Sequence, residues 1–473
     1  MTMTAAEARQ ALQRLNDALE GPLRTSARRE GLAWLAALHG EDLVRLDELA
    51  RYRTIYDGPA ISSRPDPTES TGLGAVLASL YYDGRLRERA LPYLPGELAP
   101  VLLALRTTDH VPQIRTRARE LLFTLPPALA AMEVLLVIRR RLYGKGLLDE
   151  YAKRLTEEQL SGLRAARFRD LRRWAYQRDL VNGTLTRAEL EIGALDNDQW
   201  IRARCADALA QRADAGVAPG LLTSRYVETR MAGLLRLPDE LLSVEQIGDA
   251  LFDRSARVRE LAQWRCRRRS GDPAKTYRDA ALVADRIAVG RRIGLISGLF
   301  EVGEADDLPL IVRHLTDRGP RVRLAAVKAV TGWLDGAERA KLLGPLLLDA
   351  SPKVVGAAAA ALAALPRQVT AEFVEAAWAS GQPWSRAGAT RVEVAGGPWN
   401  ALESILRLVA DVDPHLSRQG RIRLANWFRS TPDGGQLPNE DQKVRLRRRM
   451  GEVTLDDATV RRLGFYARLW PLT

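Results

Sequence analysis

Apolar residues along this chain recur at the spacing of helices. Near the start, Leu12, Leu15, Leu19 and Leu23 follow one another every three or four residues. Such spacing places them on one face of a helix. No sustained alternation of apolar and polar residues, which would indicate strands, is found. Ala, Leu and Arg, all good helix formers, dominate the composition. The pattern predicts an all-α protein.

A second pattern repeats along the chain. An aspartate is followed six residues later by an arginine, or once by a valine, and then by an Ala-rich amphipathic run. Weaker copies have another turn residue in place of the aspartate, or a less regular run. The step is about 32 residues, which fits one helical hairpin per repeat. The pairs are Asp109/Arg115, Asp196/Arg202, Asp253/Arg259, Asp317/Arg323 and Asp349/Val355, with weaker copies at Ser224/Arg230, Asp285/Arg291, Ser385/Arg391 and Ser417/Arg423.

The repeated residues have roles that helix chemistry explains. An aspartate or serine in the turn between two helices caps the free N–H groups that open the second helix. Pro320 and Pro352 suit the first turn of that helix, where a missing N–H costs little. The arginine, about one turn inside, can reach the turn aspartate of its own or an adjacent repeat. We expect the Ala-rich run to let successive helices approach closely.

The segment Thr-Asp-Arg-Gly-Pro-Arg-Val-Arg-Leu-Ala-Ala at 316–326 resembles the HEAT-like repeats of the phycobilisome-lyase type. The resemblance covers residues 185–430, with one more copy at 100–125. It implies an α-solenoid whose concave face is lined by the second helix of each hairpin. It implies almost nothing about chemistry, because scaffolds, regulators and some enzymes share such repeats.

The same patterns divide the chain into five segments. Residues 56–74 are rich in Gly, Pro, Ser and Asp, and a loop of this length is a candidate functional or mobile element. The predicted segments are a helical N-terminal segment at 1–55, the loop at 56–74, irregular helices or degenerate repeats at 75–184, regular HEAT-like repeats at 185–430 and a C-terminal cap with a basic helix at 431–473.

Charge and cysteine content indicate which partners, which cysteine sites and which compartment to expect. The net charge is +12, which permits an acidic partner and says little about the fold. Cys205 and Cys266 lie far apart with no CxxC spacing, which excludes a disulfide framework and most structural zinc sites. The first residues lack the apolar core of a signal peptide. The stretch Leu121–Ile138 is too interrupted to span a bilayer. We therefore expect a cytoplasmic protein.

The sequence contains no complete catalytic motif. The chain has no GxSxG, and it has neither a complete phosphate loop nor clustered histidines. Cys205 is interpreted as a buried structural thiol, although neighbouring arginines could lower its pKa. HEAT-like glycosylases for alkylated bases carry a catalytic Asp one turn from a Trp, and here the nearest match is Trp399 with Glu403, on a first helix. No catalytic residue, cofactor or metal is assigned, and we expect no enzymatic activity.

Clusters of arginine leave two interpretations open. They occur at 139–141 with Lys145, at 164–173, at 265–269 and at 445–449. Arginine binds phosphate bidentately, so the clusters would suit nucleic acid. Equally, they could be solvated helix faces, with the arginine stems covering apolar surface.

The expected function is that of a non-catalytic scaffold that binds a protein or peptide in the concave groove. The alternative is a nucleic-acid-binding protein, which could act in DNA repair. Trp174 and Trp264 with their flanking arginines are the aromatic-basic combinations enriched at binding hot spots, although both could instead be core residues. The binding residues predicted to face solvent on second helices are Arg169, Arg172, Trp174, Arg204, Gln211, Gln263, Trp264, Arg267 and Lys328.

Overall fold

The computed structural model confirms an all-α protein. It describes residues 3–20, 25–51, 53–54, 58–59, 61, 64–214, 216–430 and 437–469. These contain 29 α-helices and one antiparallel ladder, of two residues per strand, between β1 (Arg53–Thr54) and β2 (Gly58–Pro59). The register pairs Arg53 with Pro59 and Thr54 with Gly58. The chain forms two compact units, Met1–Leu209 and Ala210–Thr473, named unit 1 and unit 2.

Unit 1 contains helices of uneven length, and its boundary with unit 2 falls inside its last helix. Short 3₁₀ helices lie at Leu91–Tyr93 and Leu163–Ala165. The α-helices are α1 Ala5–Glu20, α2 Thr25–Ala36, α3 Gly40–Arg51, α4 Leu73–Leu80, α5 Gly84–Ala90, α6 Ala99–Arg106, α7 Pro112–Thr124, α8 Leu129–Ile138, α9 Leu147–Ala152, α10 Glu157–Gly162, α11 Arg169–Asn182, α12 Arg187–Gly193 and α13 Gln199–Gln211.

Unit 2 is more regular. Its 3₁₀ helices lie at Asp239–Leu241, Ala284–Arg286, Ala305–Asp307, Arg313–Thr316 and Gly344–Leu348. Its α-helices are α14 Ala218–Thr223, α15 Val227–Arg236, α16 Val244–Leu251, α17 Ala256–Arg268, α18 Pro273–Leu282, α19 Val289–Val302, α20 Leu308–Val312, α21 Pro320–Trp333, α22 Gly336–Leu343, α23 Pro352–Leu362, α24 Arg367–Ala379, α25 Pro383–Val394, α26 Pro398–Val409, α27 Pro414–Ser430, α28 Glu440–Gly451 and α29 Asp457–Ala467.

The helices of unit 2 from α14 to α27 pair as successive helical hairpins. Each even-numbered helix packs on the odd-numbered helix that follows it. The second helices also contact one another in order, from α15 through α17, α19, α21 and α23 to α25. This stacking of hairpins is the arrangement of an α-solenoid, as the repeat predicted.

Small residues let the stacked helices approach closely. Ala358 and Ala359 of the Ala-rich run are fully buried. A Cβ built on Gly298 of α19 would lie 2.1 Å from the ring of Tyr277. Tyr277 itself is buried and donates its hydroxyl to the carbonyl of Leu251 at 2.7 Å. The glycine is therefore a packing requirement of this hairpin.

The turn aspartates bind one step before the predicted helix caps. Oδ1 of Asp317 accepts from the backbone N–H of Gly319 at 2.7 Å, and Asp349 accepts in the same way from Ser351 at 2.7 Å. Gly319 and Ser351 are the N-cap residues, and neither second helix has a side-chain cap. The aspartates therefore order the turn through a contact over two residues, and the prediction that they cap the first turn of the helix is wrong here.

One arginine in most repeats links a hairpin to the next. Arg323 donates one Nη to the carbonyl of Asp317, six residues earlier, at 2.7 Å. Its Nε and other Nη pair with both carboxylate oxygens of Asp349 in the following turn, each at 2.7 Å. Arg230 pairs with Asp253 in the same bidentate way at 2.7 and 2.8 Å. These contacts are named the Asp–Arg ladder.

The ladder shows what the arginines bind. Sequence alone left open whether the partner lay in the same repeat or the adjacent one, and the structure shows both, through different atoms. For Arg230 and Arg323 the carbonyl comes from the arginine's own turn and the carboxylate from the next turn. Arg259 instead pairs with Glu301 near the end of α19. Five predicted ladder arginines donate to the carbonyl six residues earlier, namely Arg115, Arg202, Arg230, Arg259 and Arg323.

Three weaker predicted positions are wrong. Arg292, not Arg291, approaches Asp317, at 3.5 Å. Arg386, not Arg391, donates to the carbonyl of Ser380 at 2.8 Å and pairs with Asp411. In the last repeat Arg423 was predicted. The position six residues after the turn aspartate Asp411 is instead Ser417. The aspartate of the first pair, Asp285, lies inside the 3₁₀ helix Ala284–Arg286, and the other two pairs were counted from a serine. In such turns the linear pattern does not fix which residue faces the neighbouring turn.

Unit 1 carries ladder contacts that the sequence did not reveal. Arg87 donates to the carbonyls of Tyr81 and Tyr82 and pairs with both oxygens of Asp109 at 3.0 Å. Its turn has tyrosines where the repeat has Asp. The missing acidic residue hides this copy from a motif search.

The predicted loop at 56–74 falls partly on residues 56–57, 60 and 62–63, which lie outside the described residues. Ile61, Pro65 and Pro67 are buried. Glu69 accepts hydrogen bonds from the backbone and hydroxyl of Thr71 and pairs with Arg28 at 3.0 Å. The described part of the segment is therefore packed within unit 1.

Candidate functional site

The ladder defines equivalent positions on the second helices of unit 2. The ladder positions are Arg230, Arg259, Arg292, Arg323, Val355 and Arg386. The residue five positions beyond each is exposed, apart from one half-buried serine. Because neighbouring second helices touch, these residues form a line across them. This line is named the second-helix stripe, and its members are Leu235, Trp264, Ser297, Lys328, Ala360 and Arg391.

The stripe is poor in charge. Its two cations, Lys328 and Arg391, lie on α21 and α25, and it contains no carboxylate. Leu235 and Trp264, which are 45% and 41% exposed, lie on the contacting helices α15 and α17. An exposed leucine and an exposed tryptophan therefore occupy equivalent positions on adjacent helices.

The position of Trp264 is fixed by its neighbours. The guanidinium groups of Arg265 and Arg268 lie 5.3 and 5.0 Å from the indole ring. Arg265 is buried and donates to the carbonyls of Leu234 and Leu237 at 2.6 and 2.7 Å. These carbonyls are at the end of α15, where a cation is favourable. The indole is therefore held at the surface by a buried arginine.

Three of the four predicted binding residues that lie on α17 and α21 are exposed. Trp264 and Lys328 occupy equivalent stripe positions, and Arg267 makes no hydrogen bond or ion pair with a described residue. Gln263 was also predicted to face solvent, and this is wrong. Gln263 is buried, and its amide donates to Glu301 at 3.1 Å. It lies four positions beyond Arg259, on the side of α17 that faces the core, whereas the stripe residue lies five positions beyond.

The predicted binding residues of unit 1 do not share one environment. Arg169 is exposed and approaches Asp170 at 3.3 Å. Arg204 is exposed, 5.7 Å from the ring of Trp200. Trp174 is half-buried and packs against the apolar core, as the core interpretation expected. Gln211, which follows the boundary with unit 2, is exposed.

Arg172 corrects the prediction of a solvent-facing residue. Its side chain is 17% exposed. One Nη donates to the carbonyl of Ala166, six residues earlier, at 3.0 Å, and the other donates to Asp196 in the next turn at 3.4 Å. These are the two contacts of a ladder arginine. Its turn lacks an aspartate, which is why the repeat went unrecognised here.

Many arginines of the predicted basic clusters are paired. Arg141 pairs with Glu48, Arg164 with Asp179 and Glu189, Arg173 with Asp198, Arg265 with Asp239, and Arg445 with Glu403. Much of their charge is therefore neutralised within the protein. The pairing supports the interpretation of solvated or structural arginines for these positions.

The two residues that the sequence offered as candidates for catalysis, Cys205 and Glu403, are buried inside the protein. Cys205 is fully buried, and burial raises the pKa of its thiol to about 12, which confirms the interpretation of a buried thiol. Glu403 is buried, with Arg367 at 3.2 Å and Arg445 at 2.9 Å. No group of three or more His, Cys, Asp or Glu side chains that could hold a metal occurs among the described residues.

None of the helices in the described ranges is long and apolar enough to cross a membrane. A scan against protein-family models found no match, and a search of curated proteins found no similar sequence. The phycobilisome-lyase resemblance therefore stays a prediction.

Among solved structures, the chain is similar to one from a study of how Kap95p binding induces the switch loops of RanGDP to adopt the GTP-bound conformation, with implications for nuclear import complex assembly. The sequence identity is 11% and the TM-score is 0.31, and the similarity covers 95% of this chain and 67% of that chain. The fold assignment rests on the stacked hairpins themselves.

Proposed function

We propose that the protein is a non-catalytic interaction protein, and that the second-helix stripe of unit 2 binds a protein or peptide. The observation that carries this proposal is the pair of exposed apolar side chains, Leu235 and Trp264, on contacting helices. Trp264 is held in place by Arg265, so little side-chain entropy is lost when a partner covers it. Tryptophan and arginine are the residues most enriched at binding hot spots.

The partner that fits this surface has an apolar side chain flanked by carboxylates. The apolar group would cover Trp264 and Leu235, and the carboxylates would reach Arg267 and Lys328. A nucleic acid is the weaker candidate here. Binding to its backbone needs several cations along one track, whereas the six stripe positions supply two.

A photo-crosslinking experiment in the native cell tests this proposal. A photo-crosslinking amino acid replaces Trp264 in one variant and Lys341 in the control, because Lys341 is exposed on the first helix α22. We expect crosslinks to a protein from position 264 that persist after nuclease treatment, and none from position 341. Equal crosslinking from both positions, or a product removed by nuclease, would contradict the proposal.

Charge reversal provides the second part of the test. Arg267→Glu with Lys328→Glu should abolish the crosslink from position 264. The matched control reverses two exposed charges away from the stripe, Arg318→Glu with Lys341→Glu, and should leave the crosslink intact. Both double variants should keep the wild-type melting temperature, since exposed charges contribute little to stability.

A further inference from the structure

A cleft near the end of unit 2 lies apart from the second-helix stripe. It is formed by α27, the segment at 454–456 and the start of α29, and its volume is about 670 Å³. Clefts of this size hold small organic ligands. It is named the C-terminal cleft.

Three arginines line the C-terminal cleft without carboxylate partners. Arg421 and Arg429 lie on α27, and Arg462 lies on α29. None of the three forms an ion pair with a described residue, and all are exposed. Arg429 has a single weak bond, from Nε to the carbonyl of Ala425 at 3.4 Å. In contrast, the ladder arginines Arg323, which is half-buried, and Arg386, which is buried, are paired with carboxylates. None of the three guanidinium groups is therefore neutralised by a carboxylate of the described residues.

One carboxylate also lines the cleft, and its binding capacity is already used. Asp456 accepts from the backbone N–H and the hydroxyl of Thr459, at 2.8 and 2.7 Å. These hydrogen bonds lower its pKa, so it stays ionised. With this charge counted, the ionised groups of the lining leave a net excess of two positive charges. The cleft also faces the first turn of α29, where the helix dipole favours an anion.

The floor of the cleft is apolar and aromatic. Leu424, Phe428 and Leu455 contribute to it, and the guanidinium of Arg462 lies 4.4 Å from the ring centre of Phe428. An arginine stacked on an aromatic ring presents a planar surface. Planar bases stack on both groups.

We propose that the C-terminal cleft binds a nucleotide. Its phosphate would lie among Arg421, Arg429 and Arg462, where guanidinium groups donate paired hydrogen bonds to phosphate oxygens. Its base would lie on the apolar floor beside the Phe428–Arg462 pair. The phosphate of a nucleotide thus matches the arginines of the cleft, and the base matches its apolar floor.

Calorimetric titration of the full chain tests this proposal, with AMP as the probe. Adenosine, inorganic phosphate and a short single-stranded oligonucleotide are the comparison ligands at the same ionic strength. We expect AMP to bind at least about tenfold more tightly than adenosine or phosphate, because each of these loses one half of the contacts. Equal affinities of AMP and phosphate, tighter binding of the oligonucleotide, or no AMP binding at millimolar concentrations would each overturn the proposal.

Arginine variants locate the site. Arg429→Ala and Arg462→Ala should each weaken AMP binding by about 10–100-fold, the usual effect of losing a charge-assisted hydrogen bond. Arg418→Ala and Arg461→Ala are matched controls on the same two helices, because both arginines are exposed and do not line the cleft. Equal losses in variants and controls would show non-specific attraction. If Arg462→Ala lowers the melting temperature, Arg429→Ala, which removes no aromatic contact, decides the outcome.

Discussion

Arg323 joins two consecutive hairpins by holding Asp349, 26 residues further along the chain, with two parallel hydrogen bonds of 2.7 Å. The same arginine donates to the carbonyl of Asp317 in its own turn. Both ends of the contact are largely buried, since the side chains of Arg323 and Asp349 are 14% and 6% exposed. One side chain thus fixes the spacing of two repeats.

The first prediction concerns this contact. Arg323→Ala leaves Asp349 buried without its cation, and we expect a loss of about 2–4 kcal/mol in the free energy of unfolding. Asp317→Ala, which removes the acceptor of the Gly319 N–H and the ion pair with Arg292, should cost about 1–2 kcal/mol. The control is Arg318→Ala, whose exposed side chain should contribute less than about 0.5 kcal/mol. Urea denaturation measures all three, and equal losses would contradict the ladder.

The second prediction separates a structural arginine from an exposed one on α11. Arg172→Glu breaks two ladder contacts and places a carboxylate beside Asp196, so it should lower the free energy of unfolding by about 2 kcal/mol or more. Arg169→Glu, three residues earlier, loses a surface contact and should change it by less than about 1 kcal/mol. Thermal melts of the two variants provide the comparison. A stable Arg172→Glu variant would show that Arg172 does not act as a ladder arginine.

The third prediction tests close packing between helices. Gly298→Ala places a methyl group against Tyr277 and should destabilise the protein by about 1–3 kcal/mol. Gly248→Ala on α16 is the matched control, because a Cβ there meets nothing within 4 Å. It should stabilise the helix by about 0.5–1 kcal/mol. Opposite shifts in melting temperature are expected, and shifts of the same sign would exclude this packing.

The fourth prediction concerns pH and Asp109. Burial alone would raise the pKa of this carboxyl, but hydrogen bonds from Arg87 and the charge of Arg106 outweigh burial and lower it to about 2. A carboxyl with a depressed pKa in the folded state adds stability above its unfolded pKa, near 4, and loses it as the pH falls towards 2. The shift corresponds to about 2 kcal/mol.

The measurement is the free energy of unfolding between pH 5 and pH 2. The wild type should lose stability over this range, and Asp109→Asn should be less stable at pH 5 with a weaker dependence on pH. Asp149→Asn, which changes an exposed aspartate of the same unit, should follow the wild-type profile. An unchanged pH profile in Asp109→Asn would rule out the role of Asp109.

The candidate surface was only partly predictable. Trp264, Arg267 and Lys328 were correctly placed at the surface, because helical spacing from a strong ladder arginine fixes which side of the helix they occupy. Gln263 and Arg172 were misplaced, the first by a single position and the second because its turn carries no aspartate. The C-terminal cleft was not predicted, since α27 and α29 are brought together by packing and share no motif.

The sequence by itself determined the helices, the turns between them and the hydrogen bonds within each turn. These depend on contacts over two to six residues, such as Asp317 to Gly319 and Arg323 to the Asp317 carbonyl, which local chain geometry makes inevitable once the residues are present. Only the tertiary structure decided that Arg323 pairs with Asp349, that Arg386 rather than Arg391 belongs to the ladder, and that Arg421 and Arg462 face one cleft. Each of these depends on how one helix is rotated against its neighbour. That rotation is set by the packing of buried side chains from both helices, and no single segment of the chain contains it.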